Sequence, residues 1–173
     1  PHFLYNTLDS ITWMIEGGKN EEASFMITQL AKLFRISLSK GHTIIPVRDE
    51  LLHAKSYMNI QKVRYKNKFE VSFEVDEEIM DYCAVKLVLQ PILENALNYG
   101  IRELDDFGEI VVGGQKVGED IIITVSDNGM GIPENEIPFL LTNTDRVHKK
   151  GSGVGLVNVN NRIKILFGER YGL

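Results

Sequence analysis

The sequence predicts an α+β chain, with a helical amino-terminal third followed by a two-layer sandwich of strands and helices. Three observations carry this reading. Apolar residues recur at helical spacing up to about residue 65. They then alternate with polar ones from Phe69 to Val75, the two-residue period of a half-buried strand. Two more strand-like runs, 109–117 and 120–126, flank Gly118 and predict a hairpin, with helical patterns on either side.

The elements follow in order. Leu4, Leu8, Ile11 and Ile15 place a first helix, which Gly17-Gly18-Lys19-Asn20 ends. A second is expected over about 21–39, with Ala23, Met26, Leu30, Leu33 and Phe34 on one side. Phe25 and Ile36 add apolar bulk on another side, as in a bundle helix with a second contact face, such as a dimer would use. A third helix over about 47–65 turns Leu51, Ala54 and Met58 inward and its charges outward. After the first strand, Val85, Val88, Leu89, Ile92 and Ala96 return to helical spacing. Pro91 there either kinks one continuous helix or stands in the first turn of a new one. Residues 132–152 are polar and irregular, so they are expected as loop. Leu156, Val159, Ile163 and Leu166 form a last amphipathic helix, ended by Gly168. Cys83 is expected as a small core residue. His42, His53 and His148 are expected at the surface or in loops.

Composition narrows the classes. A chain of 173 residues permits one large domain or two small ones. With 43% hydrophobic residues it can bury a core, and a net charge of −5 disfavours nucleic acid or acidic lipid as a partner. An anionic nucleotide would have to be met by local donors instead. The single cysteine excludes an internal disulfide and suits a reducing compartment. No apolar run approaches the roughly 18 residues of a membrane span. The chain opens at Pro1-His2-Phe3 without a methionine and stops at Tyr171-Gly172-Leu173, so both ends are expected to be cuts in something longer.

Three motifs carry chemistry. In the first, Gln90-Pro91-Ile92-Leu93-Glu94-Asn95-Ala96-Leu97-Asn98-Tyr99-Gly100, a polar Glu94-Asn95 pair interrupts an apolar helix. Either the pair is a solvated helix face, or the Asn95 amide oxygen is a hard ligand for magnesium already held by phosphates. The second, Asp127-Asn128-Gly129-Met130-Gly131-Ile132-Pro133, follows an apolar strand. It is an ordinary turn, or a place where the Asp127 carboxylate accepts a hydrogen bond from an adenine amino group beside bare glycine backbone. The third, Gly151-Ser152-Gly153-Val154-Gly155-Leu156, opens the helix that carries Asn158 and Arg162. Free N–H groups at such a start favour anions. A dinucleotide fingerprint is excluded, because no strand precedes it and its third glycine comes too early. A Walker-type phosphate loop is excluded by the lack of Gly-Lys-Ser/Thr.

In order and spacing this set resembles the N, G1 and G2 boxes of the ATP-binding fold shared by DNA gyrase, the Hsp90 chaperone, histidine kinases and the MutL repair protein. The resemblance covers roughly residues 68–173. It implies a Bergerat-type two-layer sandwich with a mixed sheet, ATP bound beside the helices, a lid over 133–150, and further strands after Leu173. It assigns magnesium, through the ATP phosphates, to Asn95 and adenine to Asp127. Asn98, Gly129, Gly131, Gly151, Gly153, Gly155 and Leu156 complete the nucleotide contacts. Lys149 and Lys150 lie in the lid and are either solvated or near phosphate.

The amino end narrows the branch. Pro1-His2-Phe3-Leu4-Tyr5-Asn6-Thr7-Leu8 resembles the Pro-His-Phe-Leu-Phe-Asn box of the LytS- and YesM-like sensor histidine kinases, and Tyr57-Met58-Asn59-Ile60-Gln61-Lys62-Val63-Arg64-Tyr65 their Tyr-Leu-x-Ile-Gln-x-x-Arg-Phe segment. By that resemblance residues 1–66 dimerise and carry His2 as phosphoacceptor, and 67–173 bind ATP. The phosphoryl group then passes to an aspartate of a response-regulator protein, and the whole protein is a membrane-anchored sensor with this part in the cytoplasm. Asn6, one turn from His2, is placed to orient its ring, and Glu94 is the candidate acid or base. The family often has Lys-His where Asn98 and Tyr99 stand, so one cation for phosphate is missing from its usual place. Two readings compete: a nucleotide-sensing or partner-binding module without kinase activity, and a related serine kinase or plain ATPase, against which the Pro-His-Phe-Leu start argues.

Overall fold

The computed structural model describes residues 2–39, 41–102, 104–142 and 153–173. Helix α1 (His2–Glu16) is amphipathic, and of the predicted stripe Leu4 and Ile11 face inward while Leu8 and Ile15 do not. Phe3, Thr7, Ile11 and Met14 pack inward, whereas Leu8 and Ile15 are 45% and 54% exposed. Apolar residues lie on two sides of α1, and periodicity does not say which side is buried. The buried Thr7 hydroxyl is satisfied by donating to the Phe3 carbonyl at 2.6 Å. In α2 (Asn20–Ser37), Ala23, Met26, Leu30 and Leu33 point inward as expected, and Ile36 joins them instead of forming a second side. Phe25 and Ile27 remain exposed on that second side.

Helix α3 (Val47–Arg64) is buried on nearly every side, because it packs against α1, α2, α4 (Leu89–Asn95) and the sheet strand β2 (Phe69–Val75). Leu51, Ala54 and Met58 are inward as predicted, but so are the polar Glu50, His53, Ser56 and Gln61. His53 is therefore not a surface residue: its Nε2 lies 3.0 Å from the Ser37 hydroxyl across the α2–α3 contact. Two three-residue strands, β1 (Ile44–Pro46) and β3 (Cys83–Val85), pair antiparallel and escape the sequence pattern by their shortness. Val85 thus ends a strand and does not begin a helix. Cys83, at the start of its strand, is exposed and is not a core residue, whereas Ala84 and Val85 after it are buried.

The main sheet is mixed. Strand β2 runs parallel to β4 (Gly108–Val117), which pairs antiparallel with β5 (Asp120–Asp127) across a turn at Gly118, φ 63°. A parallel pair needs a crossover, and α4 supplies it. Pro91 is the third residue of α4, where a missing N–H removes no helical bond. The helix then widens into a π-helical segment, Ala96–Ile101. One cluster of buried residues joins these parts, from Ile11 and Met26 through Tyr57 and Met58 to Leu93, Leu97 and Ile110. The last helix, α5 (Gly153–Phe167), buries Val159 and ends at Gly168, φ 104°. No described helix is long and apolar enough to cross a membrane.

The start of α4 is fixed from outside. The Glu50 carboxylate, fully buried in α3, accepts the N–H groups of Leu87, Val88 and Leu89 at 2.8, 2.8 and 2.9 Å. Helix starts leave such donors unpaired, so a carboxylate is favoured there both by hydrogen bonding and by the helix dipole. Burial holds the Glu50 pKa above the usual carboxylate value, and the three N–H groups offset only part of that rise. Leu87 has φ 61°, a conformation costly for a bulky side chain. Arg162 of α5 donates to the Lys86 carbonyl at 2.5 Å and holds the same turn from the other side.

Two stability predictions follow from these buried groups. Glu50→Ala leaves three N–H groups without an acceptor and lowers stability by about 3–5 kcal/mol in urea melts, while Glu50→Gln keeps an accepting oxygen and costs about half as much. Burial, helped by the charge of Lys86, lowers the His53 pKa from 6.5 to about 4. The unfolded chain therefore takes up a proton that folded His53 refuses. The resulting stabilisation is complete above about pH 6.5 and is lost as pH falls towards 4, by on the order of 2 kcal/mol. Melts of His53→Gln against the native chain at pH 7 and pH 5 should show a shallower decline for the variant.

Candidate functional site

The predicted residues gather on two sides of the α4–π segment. On one side lies the turn after β5. Asn128 fixes it: its N–H donates to the Glu109 carbonyl at 3.1 Å, its Oδ1 accepts the Glu109 N–H at 2.7 Å, and its Nδ2 donates to the Phe107 carbonyl at 3.1 Å. The β4–β5 ladder is thereby extended past its end. Asp127 is exposed, and its Oδ1 accepts the Gly129 N–H at 2.9 Å.

Gly100, in the π-helical segment, lies directly against this turn. A β-carbon on Gly100 would meet Asp127 Oδ1 at 2.5 Å, and one on Gly129 would meet the Gly100 Cα at 2.3 Å. The second approach, against backbone, excludes any side chain at Gly129, and the first allows one at Gly100 only if the Asp127 carboxylate moves away. Gly100 is the site residue that sequence reasoning missed, although its signal was present: a glycine closing an apolar helical motif ahead of a polar loop. Gly131, with φ 73°, supplies a left-handed turn just beyond.

Asn95 is half-buried on α4. Its Nδ2 is buried and has no hydrogen-bond partner among the described residues. Such a group costs roughly 1–3 kcal/mol in isolation, so it marks a position completed by something else. The amide carries an oxygen as well as a nitrogen and can offer either. Gly155, in the first turn of α5, packs against Pro91 in the first turn of α4, its β-carbon position 3.5 Å from Pro91 Cβ. Gly153 begins the helix and Leu156 is half-buried in it. Gly151, His148, Lys149, Lys150 and the lid residues 143–150 lie outside the described residues. The described part of the lid, 133–142, holds an exposed turn at Ile137–Phe139.

On the other side of α4 is a cleft of about 750 Å³ between α1, α3 and α4. His2, Asn6, Glu94 and Asn98 all line it. Segments some 90 positions apart in sequence thus bring the candidate acceptor to the candidate acid or base. Asn95 does not line this cleft, because neighbours on a helix point about 100° apart, whereas Glu94 and Asn98, four apart, share a face. Glu94 is steadied by Gln90, whose Nε2 donates to Glu94 Oε1 at 2.9 Å. Tyr57, Gln61 and Arg64 of α3 line the same cleft, and sequence reasoning gave them no role. Burial raises the Tyr57 pKa, and the Glu94 charge raises it further.

Comparison with known proteins gives the family. Residues 1–69 match the histidine kinase family model, and residues 80–172 match that of the histidine kinase-, DNA gyrase B-, and HSP90-like ATPases. The chain is 34% identical over its full length to sensor histidine kinase YesM of Bacillus subtilis, of which it spans 28%. It is 31% identical to sensor protein LytS of Staphylococcus saprophyticus, matching all of this chain and 29% of that one. Among solved structures, the histidine kinase AdeS of Acinetobacter baumannii covers 94% of this chain and 86% of its own, at 15% identity and a TM-score of 0.47. The chain accordingly spans under a third of the length of these curated relatives. With the second family model matching more than half of it, and with similarity along its whole length to the YesM and LytS sensor histidine kinases, the chain belongs to the histidine kinase-, DNA gyrase B-, and HSP90-like ATPase family.

Proposed function

We propose that this chain is the catalytic part of an ATP-dependent protein-histidine kinase in which His2 accepts the γ-phosphoryl group. The observation that carries this is that His2, Glu94 and Asn98 line one cleft, with Asn95 next along the same helix, about 100° round, and Asp127 against Gly100 in its π-helical end. Adenine is read by the Asp127 carboxylate, against backbone kept bare by Gly100, Gly129 and Gly131. The α5 start, with Gly153, Gly155 and Leu156, meets the phosphates, and Gly151, just before it in the sequence, belongs to the same motif. The side-chain oxygen of Asn95, half-buried on α4, would be the ligand for a magnesium ion shared with those phosphates, which when bound would neutralise charge on the transferring group. Asn6 orients the His2 ring, and Glu94 takes up its proton.

Residues 1–66 serve as the dimerising and phosphoacceptor part and 67–173 as the ATP-binding part. The exposed Leu8, Trp13, Phe25 and Ile27 of α1 and α2 supply apolar surface for a second copy. The phosphoryl group passes onward to an aspartate of a response regulator. In the whole protein, this part lies on the cytoplasmic side of a membrane-anchored sensor.

Incubation of the full-length protein with γ-labelled ATP and magnesium tests the proposal. It should give alkali-stable, acid-labile label that His2→Ala abolishes. Nucleotide binding without label would instead indicate a sensing module, and label that survives acid would indicate a serine kinase. Asp127→Asn should weaken ATP binding by about 10- to 100-fold in calorimetry, the scale of one lost charged hydrogen bond. Gly100→Ala should weaken it by at least about 10-fold, because the β-carbon displaces the Asp127 carboxylate, while the melting temperature changes little.

A further inference from the structure

The cleft contains a cation that no part of the reading above uses. Arg64, at the last residue of α3, lines it together with His2 and Glu94. Its guanidinium donates to Gln61 Oε1 at 3.0 Å, and Gln61 Nε2 donates to the Tyr57 hydroxyl at 2.7 Å. Gln61 and Tyr57 are 6% and 2% exposed, so this hydrogen-bonded chain is fixed in the core. The partner of the guanidinium is a neutral amide. Among the described residues Arg64 forms no ion pair, so no carboxylate is in direct contact with its guanidinium, although Asp9 and Glu94 line the same cleft as the acceptor histidine. Tyr57 also registers α1: its ring packs on Phe3, the neighbour of His2, with centroids 5.1 Å apart. One buried side chain therefore positions both the arginine and the segment carrying the histidine.

We infer that Arg64 is the cation that meets the phosphoryl group at His2, held in place by Gln61 and Tyr57; this rests on the kinase reading above. In the transfer, a ring-nitrogen lone pair of His2 forms the N–P bond. The bond from γ-phosphorus to the bridging oxygen breaks, and ADP leaves with that electron pair. The proton on the other ring nitrogen passes to Glu94. Negative charge stays on the three phosphoryl oxygens throughout, and a planar guanidinium can hydrogen-bond two of them. Asn98 and Tyr99, neutral where relatives often carry Lys-His, leave that charge unanswered from α4. Arg102 also lines the cleft, but it is exposed, whereas Arg64 is half-buried and pre-aimed. Arg64 would act on the reacting group, and Gln61 and Tyr57 are positioning residues.

The test is autophosphorylation of the full-length protein from γ-labelled ATP, with ATP affinity and melting temperature measured on each variant. Arg64→Gln should slow labelling by about 30-fold or more with ATP affinity unchanged, the scale of losing one positioned charge in phosphoryl transfer. Arg64→Lys should recover part of the rate. Added guanidinium should restore labelling to Arg64→Ala, a rescue that a structural role does not give. Tyr57→Phe should slow labelling several-fold in the native background but not further in Arg64→Gln. If native protein is labelled and Arg64→Gln is labelled equally fast, this inference alone fails. It fails also if the loss tracks ATP affinity or unfolding and neither lysine nor guanidinium restores it. Native protein that takes no label overturns the kinase reading together with this one.

Discussion

Much of this molecule depends on one buried carboxylate. Glu50 leaves the middle of the core and accepts three consecutive N–H groups at residues 87–89. This decides where α4 begins. It also holds Leu87 in a left-handed conformation that a leucine would leave if released. Arg162 completes the grip through the carbonyls of Lys86 and Leu87. The rotational phase of α4 follows from its start, and that phase decides which of its residues face which neighbour. Glu94 and Asn98 reach the His2 cleft and Asn95 turns away from it because the first turn is anchored at Glu50.

The second constraint is an absence of atoms. The π-helical stretch after α4 brings Gly100 against Asp127 and Gly129, at distances that exclude a β-carbon on Gly129 and allow one on Gly100 only if the Asp127 carboxylate moves away. A π turn costs hydrogen-bond quality, and such turns recur at functional positions. Here it carries the end of the helix motif into the turn that follows β5. Two segments that the sequence presents as separate motifs become one surface. Asn128 then locks that surface to the rim of the sheet through Phe107 and Glu109.

Much of the fold was legible because long amphipathic elements announce themselves. The third helix, the hairpin at Gly118 and the last helix were all visible as periodicity. The three-residue strands β1 and β3 were not, since three residues fit any period, and Val85 was read as helix for that reason. The buried face of α1 was only half legible: Leu4 and Ile11 were placed inward correctly, but Leu8 and Ile15 were not, because both faces are apolar and the choice depends on neighbours. Cys83 and His53 were misjudged in opposite directions. Cysteine is usually buried and histidine usually exposed, yet one stands at the exposed start of its strand and the crowding of α3 turned the other in. At the site, Asn95, Asp127 and the glycines were named from motif order alone. Gly100 was passed over because its role exists only in contact with two residues nearly thirty positions later.

The clearest signal left unread is the polar pattern of α3. Hydrophobic periodicity treats polar residues as the outward remainder, yet Glu50, His53, Tyr57, Gln61 and Arg64 recur three, four, four and three positions apart. That is itself a helical stripe, and a stripe of polar groups at such spacing is either solvated or spent on specific partners. In α3 it is spent. One end supplies the carboxylate that starts α4, the middle bonds to α2 through Ser37, and the far end turns a guanidinium into the cleft. Burying so many polar groups is tolerable only when each finds a partner. His53 Nδ1 and Ser56 Oγ find none among the described residues, so the stripe is not optimised for stability. Polar groups kept at that cost along one rigid helix act as a ruler: they fix the anchor of the nucleotide helix and the cation of the cleft at a set separation, about 20 Å at the rise of an α-helix.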